Sequence, residues 1–293
     1  MRNTTEQNIT GLATERYGTC PDPRLREVVT ALVKHLHAFV REIEPTEAEW
    51  MTGIDFLTRV GKMCDEKRQE FILMSDVLGV SILVDAINHR LPQAATPSTV
   101  VGPFHIHDSP DFTNGANMAA GAPGIPLVLT GSVRTLDGQP SPNAAVDVWQ
   151  PDGEGLYEAQ RPELQGAYLR GVYRTDQDGR YIIRTVAPIG YTIPLDGPVG
   201  DMVTRTGISP YRPTHVHFDV SADGFHPVIT HIFRNGDPHL DDDVVFAVKD
   251  RLIVDFGEHA PGMAPNGERM TAPYLTAHFD FVLAPAVVAA MSA

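Results

Sequence analysis

The hydrophobic period changes once along this 293-residue chain, and that change limits the possible fold more than any other feature. From Pro23 to about Arg90 the apolar residues recur at three- and four-residue spacing. Leu25, Val28, Val29, Leu32, Leu36, Phe39, Val40 and Ile43 form one stripe, with Lys34, His35, Arg41 and Glu42 elsewhere on the wheel. Pro45-Thr46 ends that helix, and Thr46-Glu47-Ala48-Glu49 has capping-box form for the next, which continues through Trp50, Ile54, Leu57 and Val60. A third helical region is predicted through Phe71, Ile72, Met74, Ser75, Leu78, Ile82 and Ile87, with Gly79 inside it. The stripe predicts a helical core, and the same stripe would also serve a dimer.

Residues 91–125 are rich in Pro, Gly, Ala and Ser, lack a period, and are predicted to connect two parts. Beyond them the period is two. Leu127, Leu129 and Val133 alternate with Val128, Thr130 and Arg134 before the turn Asp137-Gly138, and Ala144–Trp149 follows. Asp176-Gln177-Asp178-Gly179 between Arg174-Thr175 and Arg180–Ile183 predicts a hairpin. Further strands are expected at Val228–Phe233, Val244–Val248, Leu252–Phe256 and Ala277–Leu283. The expected class is α+β: a helical domain over 1–100, then an antiparallel β-sandwich over 101–293.

Thirty-seven acidic against 23 basic residues leave a formal charge of -14 without a Lys/Arg-rich run, which excludes a nucleic-acid partner. Only Cys20 and Cys64 are present, too few for a disulfide framework, so a reducing cytoplasm is expected. The first eight residues lack the apolar core of a signal peptide. The apolar tail Phe281–Ala293 falls short of the ~20 residues of a membrane span.

One strand carries chemistry. In Thr214-His215-Val216-His217-Phe218-Asp219-Val220 the apolar residues alternate, so His215, His217 and Asp219 share the other face. The two histidine Cα atoms then lie about 6.6 Å apart along the strand, and their imidazoles can converge on one ion through bonds of roughly 2 Å. His35 and His37 sit in a helical segment and point apart. His105 and His107 are the rival pair, but no alternating apolar face fixes them. Tyr157 and Tyr191 also stand out, each in a Gly/Pro-bounded loop; composition alone leaves both as ordinary half-buried tyrosines.

The ordered set Gly155-Leu156-Tyr157, Pro188-Ile189-Gly190-Tyr191 and Arg212-Pro213-Thr214-His215-Val216-His217 resembles the intradiol ring-cleaving dioxygenases. So do the gaps between these motifs, 34 residues from 157 to 191 and 24 from 191 to 215. Val101-Gly102-Pro103-Phe104 and Asp242–Asp250 extend the likeness over nearly the whole chain.

The resemblance implies one non-haem Fe(III) per chain, ligated by Tyr157, Tyr191, His215 and His217. Phenolate is a hard anionic donor, and a trivalent ion can ionise a phenol of pKa ~10 at neutral pH. It also implies that Tyr191 leaves the metal and takes up a substrate proton, that Arg212 stabilises charge on the ring, and that His231 assists. Leu73, Asp76, Val101, Gly102, Pro103, Phe104, Ile193 and Pro194 would line the substrate pocket. Asp76 and His231 stand where members acting on plain catechol tend to have a small or apolar residue and glutamine. Both departures resemble the branch that acts on hydroxyquinol (benzene-1,2,4-triol), whose extra hydroxyl a carboxylate would accept. The alternatives are catechol or chlorocatechol as substrate, or a non-catalytic transthyretin-like sandwich. The resemblance further implies a homodimer through the N-terminal helices and an apolar tunnel there that holds a phospholipid.

Overall fold

Local signals start the helices where the sequence places them. The computed structural model describes residues 3–65, 68–119, 121–161, 164 and 166–286; most of the apolar tail lies outside them. Helix α1 spans Ile9–Tyr17. The Asp22 carboxylate caps α2 (Pro23–Ile43), accepting from the Arg24 and Leu25 N–H groups with Pro23 at the first position. The reciprocal Thr46–Glu49 bonds of the capping box open α3 (Glu47–Lys62). The third helical region is two helices, α4 (Glu70–Val77) and α5 (Val80–Asn88), because Gly79 between them is left-handed at φ 69. Helix α6 (Pro198–Thr206) was missed from sequence, although Val199, Met202 and Val203 recur at helical spacing behind Pro198 at the first position.

The helical stripe is not a core in the single chain: no residue of α2 is buried, and α3 buries only Val60. The chain forms two compact units, Met1–Arg59 and Val60–Ala293. Among the described residues no helix is long and apolar enough to cross a membrane.

The second unit holds the strands: β1 Asp111–Phe112, β2 Pro126–Thr135, β3 Ala145–Trp149, β4 Arg170–Arg174, β5 Arg180–Val186, β6 Tyr191–Thr192, β7 Tyr211–Arg212, β8 His215–Ser221 and β9 Val228–Arg234. They continue as β10 Ile253–Val254, β11 Gly257–His259, β12 Gly262–Met263, β13 Arg269–Met270, β14 Tyr274–His278 and β15 Phe281–Leu283. One sheet has the order β1-β4-β3-β8-β9-β10; its inner pairs are antiparallel and its two edge strands parallel. In the other, β2 pairs antiparallel with β5 along one side and parallel with β14, then β15, along the other. Alternation sends Val146, Val148, Val216, Phe218, Val220 and Ile232 of the first sheet into one core with Leu127, Leu129, Ile183, Leu275 and Phe281 of the second. Burying each such side chain stabilises by about 1.5–3 kcal/mol.

Three strand expectations need correction, the first being Ala277–Leu283, which is split between β14, ending at His278, and β15, starting at Phe281. The 176–179 turn closes through Asp176 N–H to the Arg180 carbonyl, but β4 and β5 on either side belong to different sheets. Val244–Val248 is a loop. The Asp243 carboxylate accepts from the Val245 and Ala247 N–H groups, and Phe246 has φ 58, so these donors are not offered to a ladder.

Candidate active site

The face of the first sheet opposite the core carries a buried polar cluster. In register across three strands stand Trp149, His217 and His231, with His215 two pairs further along β8, opposite Phe233. All three imidazoles are buried, and their ligand atoms lie within 4.8 Å of one another; among the described residues they are the one such group of His, Cys, Asp or Glu. His105 and His107 do not join it: their rings meet edge-on, 5.2 Å apart, and His105 lies against Trp149 at 4.6 Å.

Two short elements bring the tyrosines to this cluster. Strands β6 and β7 pair Tyr191 with Arg212, so one ribbon delivers both beside His215. Tyr157 ends the loop after β3 and is fully buried, its ring stacked on Phe104 at 4.3 Å and 16°. Gly155 has φ 81, and a Cβ there would stand 3.2 Å from that of Tyr191, so glycine answers both demands. The hydroxyls of Tyr157 and Tyr191 are 3.4 Å apart, and Tyr191 Oη is 3.4 Å from His215 Nε2.

Hydrogen bonds set which nitrogens are free. His215 Nδ1–H donates to the Pro213 carbonyl at 2.6 Å, leaving the Nε2 lone pair toward the tyrosines, where Arg212 Nη1 donates at 3.2 Å. Arg212 also donates from Nε to Asp243 at 3.2 Å and from Nη2 to His231 Nε2 at 3.5 Å. Since Nε2 of His231 accepts, its Nδ1 carries the proton and donates to Thr99 Oγ1 at 2.5 Å. Burial, then the Arg212 charge, holds His215 and His231 well below the usual histidine pKa; for His217 burial leads, followed by His231. Burial pushes both phenols up, with Arg212 pulling Tyr191 down.

The arrangement suits a small, highly charged metal ion. Two donors sharing an ion through bonds of roughly 2 Å stand about 3 Å apart, close to the two 3.4 Å separations. The imidazoles are neutral and ready to ligate. Phenols held protonated by burial ionise only for a strong cation, which favours a trivalent metal.

Of the residues expected to bind substrate, Leu73, Pro103, Phe104, Ile193 and Pro194 share the wall of a cavity of about 700 Å³. Asp76 and Val101 are not on that wall, nor is Gly102, which lies against the His217 ring. Asp76 is buried, 2% exposed, with its carboxyl raised by burial and pulled back by the Ser81 hydroxyl and then Arg212. It is therefore no solvent-facing helix position. Thr99, Asp243 and Trp149, the partners of His231, Arg212 and His217, escaped sequence reasoning. Asp243 had one available signal, a place inside the 242–250 motif; the other two had none.

Comparison with known proteins covers the same ground. Residues 22–96 match the family model described as "Catechol dioxygenase N terminus" and residues 100–285 the one described as "Dioxygenase". The 6-chlorohydroxyquinol 1,2-dioxygenase of Cupriavidus pinatubonensis is 44% identical over 97% of this chain and 99% of its own. A hydroxyquinol 1,2-dioxygenase from a Rhizobium species is 50% identical over 82% of both chains. The solved structure of hydroxyquinol 1,2-dioxygenase from Pseudomonas putida DLL-E4 superposes with a TM-score of 0.88 at 44% identity, covering 96% of this chain and 99% of that one.

Proposed function

Because the chain belongs to the intradiol dioxygenases, a family of Fe(III) enzymes, we propose that it cleaves hydroxyquinol between its vicinal hydroxyls. Both atoms of one dioxygen enter the product, 3-hydroxy-cis,cis-muconate, which is the enol form of maleylacetate. The observation that carries this reading is a buried carboxylate, Asp76, within electrostatic reach of Arg212 beside two converging tyrosines and buried imidazoles. The relatives named for hydroxyquinol and its 6-chloro derivative support the same substrate class.

Tyr157, Tyr191, His215 and His217 would hold one Fe(III) per chain. Bound there, the metal supplies the Lewis acidity that ionises the substrate's vicinal hydroxyls and readies the ring for dioxygen. The remaining work falls to the chain. Tyr191, eased toward its anion by Arg212, is placed to take a proton from the incoming phenol. Asp243 fixes the Arg212 guanidinium through Nε, so that its two Nη groups face the site where ring charge develops. Thr99 presents the lone pair of His231 toward Arg212. Leu73, Pro103, Phe104, Ile193 and Pro194 clasp the ring's apolar faces, with Gly102 behind them against the ligand His217. Asp76 accepts the third hydroxyl; over plain catechol its carboxylate would keep the Ser81 hydroxyl and lose this second donor.

The protein also pairs through its helices, in this reading, as a cytoplasmic homodimer. The exposed Leu25, Leu32, Leu36 and Phe39 of α2 support that, and the same apolar stripe is suited to lining a phospholipid tunnel.

The test is a visible spectrum. Iron-loaded protein should be red to burgundy from tyrosinate-to-iron charge transfer, and a colourless protein with full metal occupancy would sink the two-tyrosinate site. His215→Ala and His217→Ala should lose iron and all measurable turnover, Tyr157→Phe should shift or bleach the colour, and His105→Ala should keep iron.

A further inference from the structure

A second polar group lies on the same face as the imidazoles, two register pairs beyond the metal-binding end. Val146 and Val148 point into the core, so Asp147 and Trp149 of β3 point away from it, as do His217 and Asp219 of β8. Asp147 stands directly opposite Asp219, and Trp149 opposite His217, whose ring it stacks on at 4.8 Å and 17°. His105 closes over them, its Nε2 3.8 Å from Asp147 Oδ2 and its ring on Trp149.

Five enclosed atoms here meet no protein hydrogen-bond partner: His217 Nδ1, Trp149 Nε1, His105 Nε2, Asp147 Oδ1 and Asp219 Oδ1. Elsewhere the buried imidazoles are engaged at Nδ1, His215 by Pro213 and His231 by Thr99. His217 differs from both. A metal-ligating histidine donates its second ring N–H to a carboxylate, carbonyl or water, which fixes its orientation and raises its basicity. Two opposed carboxylates two residues beyond that ring are acceptors in excess, and like charges directly opposite on a sheet are otherwise destabilising. The Cα atoms of His217 and Asp219 are about 6.6 Å apart along the strand, a gap that one water with hydrogen bonds of about 2.8 Å to each side chain spans.

Resting on the iron site argued above, we propose that Asp219 is a positioning residue for His217. It accepts the Nδ1–H of His217 through one bridging water, in a polar chamber that Asp147, Trp149 and His105 complete. The water then has the two to four polar partners that a buried water requires. Asp219 touches neither metal nor substrate, and acts by holding the imidazole plane and pushing electron density onto its ligating nitrogen.

Two measurements on the full chain test this. In iron-free, histidine-15N-labelled protein, His217 Nδ1–H should give a downfield, slowly exchanging proton resonance that Asp219→Ala abolishes or brings into fast exchange. In iron-loaded protein, Asp219→Ala should speed iron loss to a chelator by roughly 10- to 100-fold. It should also move the charge-transfer band to longer wavelength, since a less basic imidazole leaves the metal more electron-poor. Asp219→Asn, which keeps an acceptor, should recover most of both, a rescue that loss of packing alone would not produce. If Asp219→Ala does not fold, Asp219→Leu, which keeps the size of the side chain and offers no acceptor, reads the same resonance and band. Wild-type iron loss and band position in all foldable variants, with the Nδ1–H resonance unmoved, would overturn the proposal. A wild-type protein without a charge-transfer band would instead overturn the two-tyrosinate reading, and the iron-free resonance would still decide whether Asp219 holds His217.

Discussion

On α2 no residue of a 21-residue amphipathic helix is buried, whereas on β8 His215 to Phe218 are all at most 1% exposed. Both segments carry an apolar pattern of the right period, so pattern alone does not separate them. The strand has a core on one face and a lid of loops, tyrosines and neighbouring imidazoles on the other. The helix has a stripe of Leu25, Leu32, Leu36 and Phe39, each about half exposed among the described residues. An apolar stripe that wide on a stably folded protein calls for a partner surface. The two regions therefore differ in what they leave open: the strand is covered on both faces within one chain, and the α2 stripe is where the proposed dimer would pair.

That difference can be tested first at α2. Leu32→Glu with Phe39→Glu places two charges where the proposed dimer would bury them. At about 2 kcal/mol for each of the poorly compensated groups, two from each protomer, the dimer should weaken roughly 10⁵-fold or more. Sedimentation at micromolar concentration should show wild-type dimer and mutant monomer, while the charge-transfer colour of the sheet site stays as it was. A wild-type monomer would remove the role assigned to the helices; loss of colour would show that the two regions are not independent.

The sheet site should answer to pH instead. His215, His217 and His231 have folded pKa values well below the ordinary 6.5, so below about that pH the unfolded chain binds protons that the folded, metal-free protein refuses. Stability then rises with pH through this window and is lost as pH falls below it. Each histidine contributes about 1.4 kcal/mol per pH unit, and three give roughly 4 kcal/mol per unit at most. Denaturant titrations of iron-free protein between pH 7 and 5 check the slope. A flat profile would mean that the imidazoles already meet water or protons in the native state.

How much of this was legible in the sequence follows from the range of the interactions. Alternation around His215 and His217 is local, and it predicted their shared face. Tyr157 and Tyr191 have no such signal, since a half-buried tyrosine in a loop looks ordinary; only the ordered motifs singled them out. The Gly79 break was hidden because apolar spacing carries across it, although left-handed backbone ends α4 there. The Val244–Val248 strand failed because Asp243 takes its N–H groups, a competition that composition does not show. Thr99 and Trp149 were invisible for a simpler reason: their partners lie on strands 132 and 68 residues away.

Asp76 sharpens the comparison within the site itself. It comes from a helix, yet it is buried beside the charges of Arg212 and Asp243. A hydrogen bond from the substrate's third hydroxyl to this carboxylate is worth about 1.5–3 kcal/mol, or roughly 10- to 150-fold in preference. Asp76→Ala should lower kcat/KM for hydroxyquinol by that factor and leave catechol nearly unchanged. Equal turnover of both substrates by the wild type, indifferent to the substitution, would assign the enzyme to catechol and leave Asp76 as a helix residue without a role in recognition.

The smallest expected effect concerns Thr99. Its hydroxyl is the acceptor that keeps the proton of His231 on Nδ1 and so leaves Nε2 as the acceptor facing Arg212. Thr99→Val keeps the shape of the side chain and removes that acceptor, which leaves a buried imidazole N–H unpaired or lets the proton move to Nε2. With the proton on Nε2 the ring would point an N–H at the Arg212 guanidinium, donor against donor, and one of the two would have to turn away. The loss of one neutral hydrogen bond is worth about 0.5–1.5 kcal/mol, so kcat should fall roughly 2- to 10-fold. Iron content should be unchanged, because the backbone carbonyl of Pro213 orients the ligand His215 independently. A Thr99→Val enzyme that lost its iron would place His231 among the metal ligands after all, and the three-imidazole cluster would then be the primary site, with one or both tyrosines outside it.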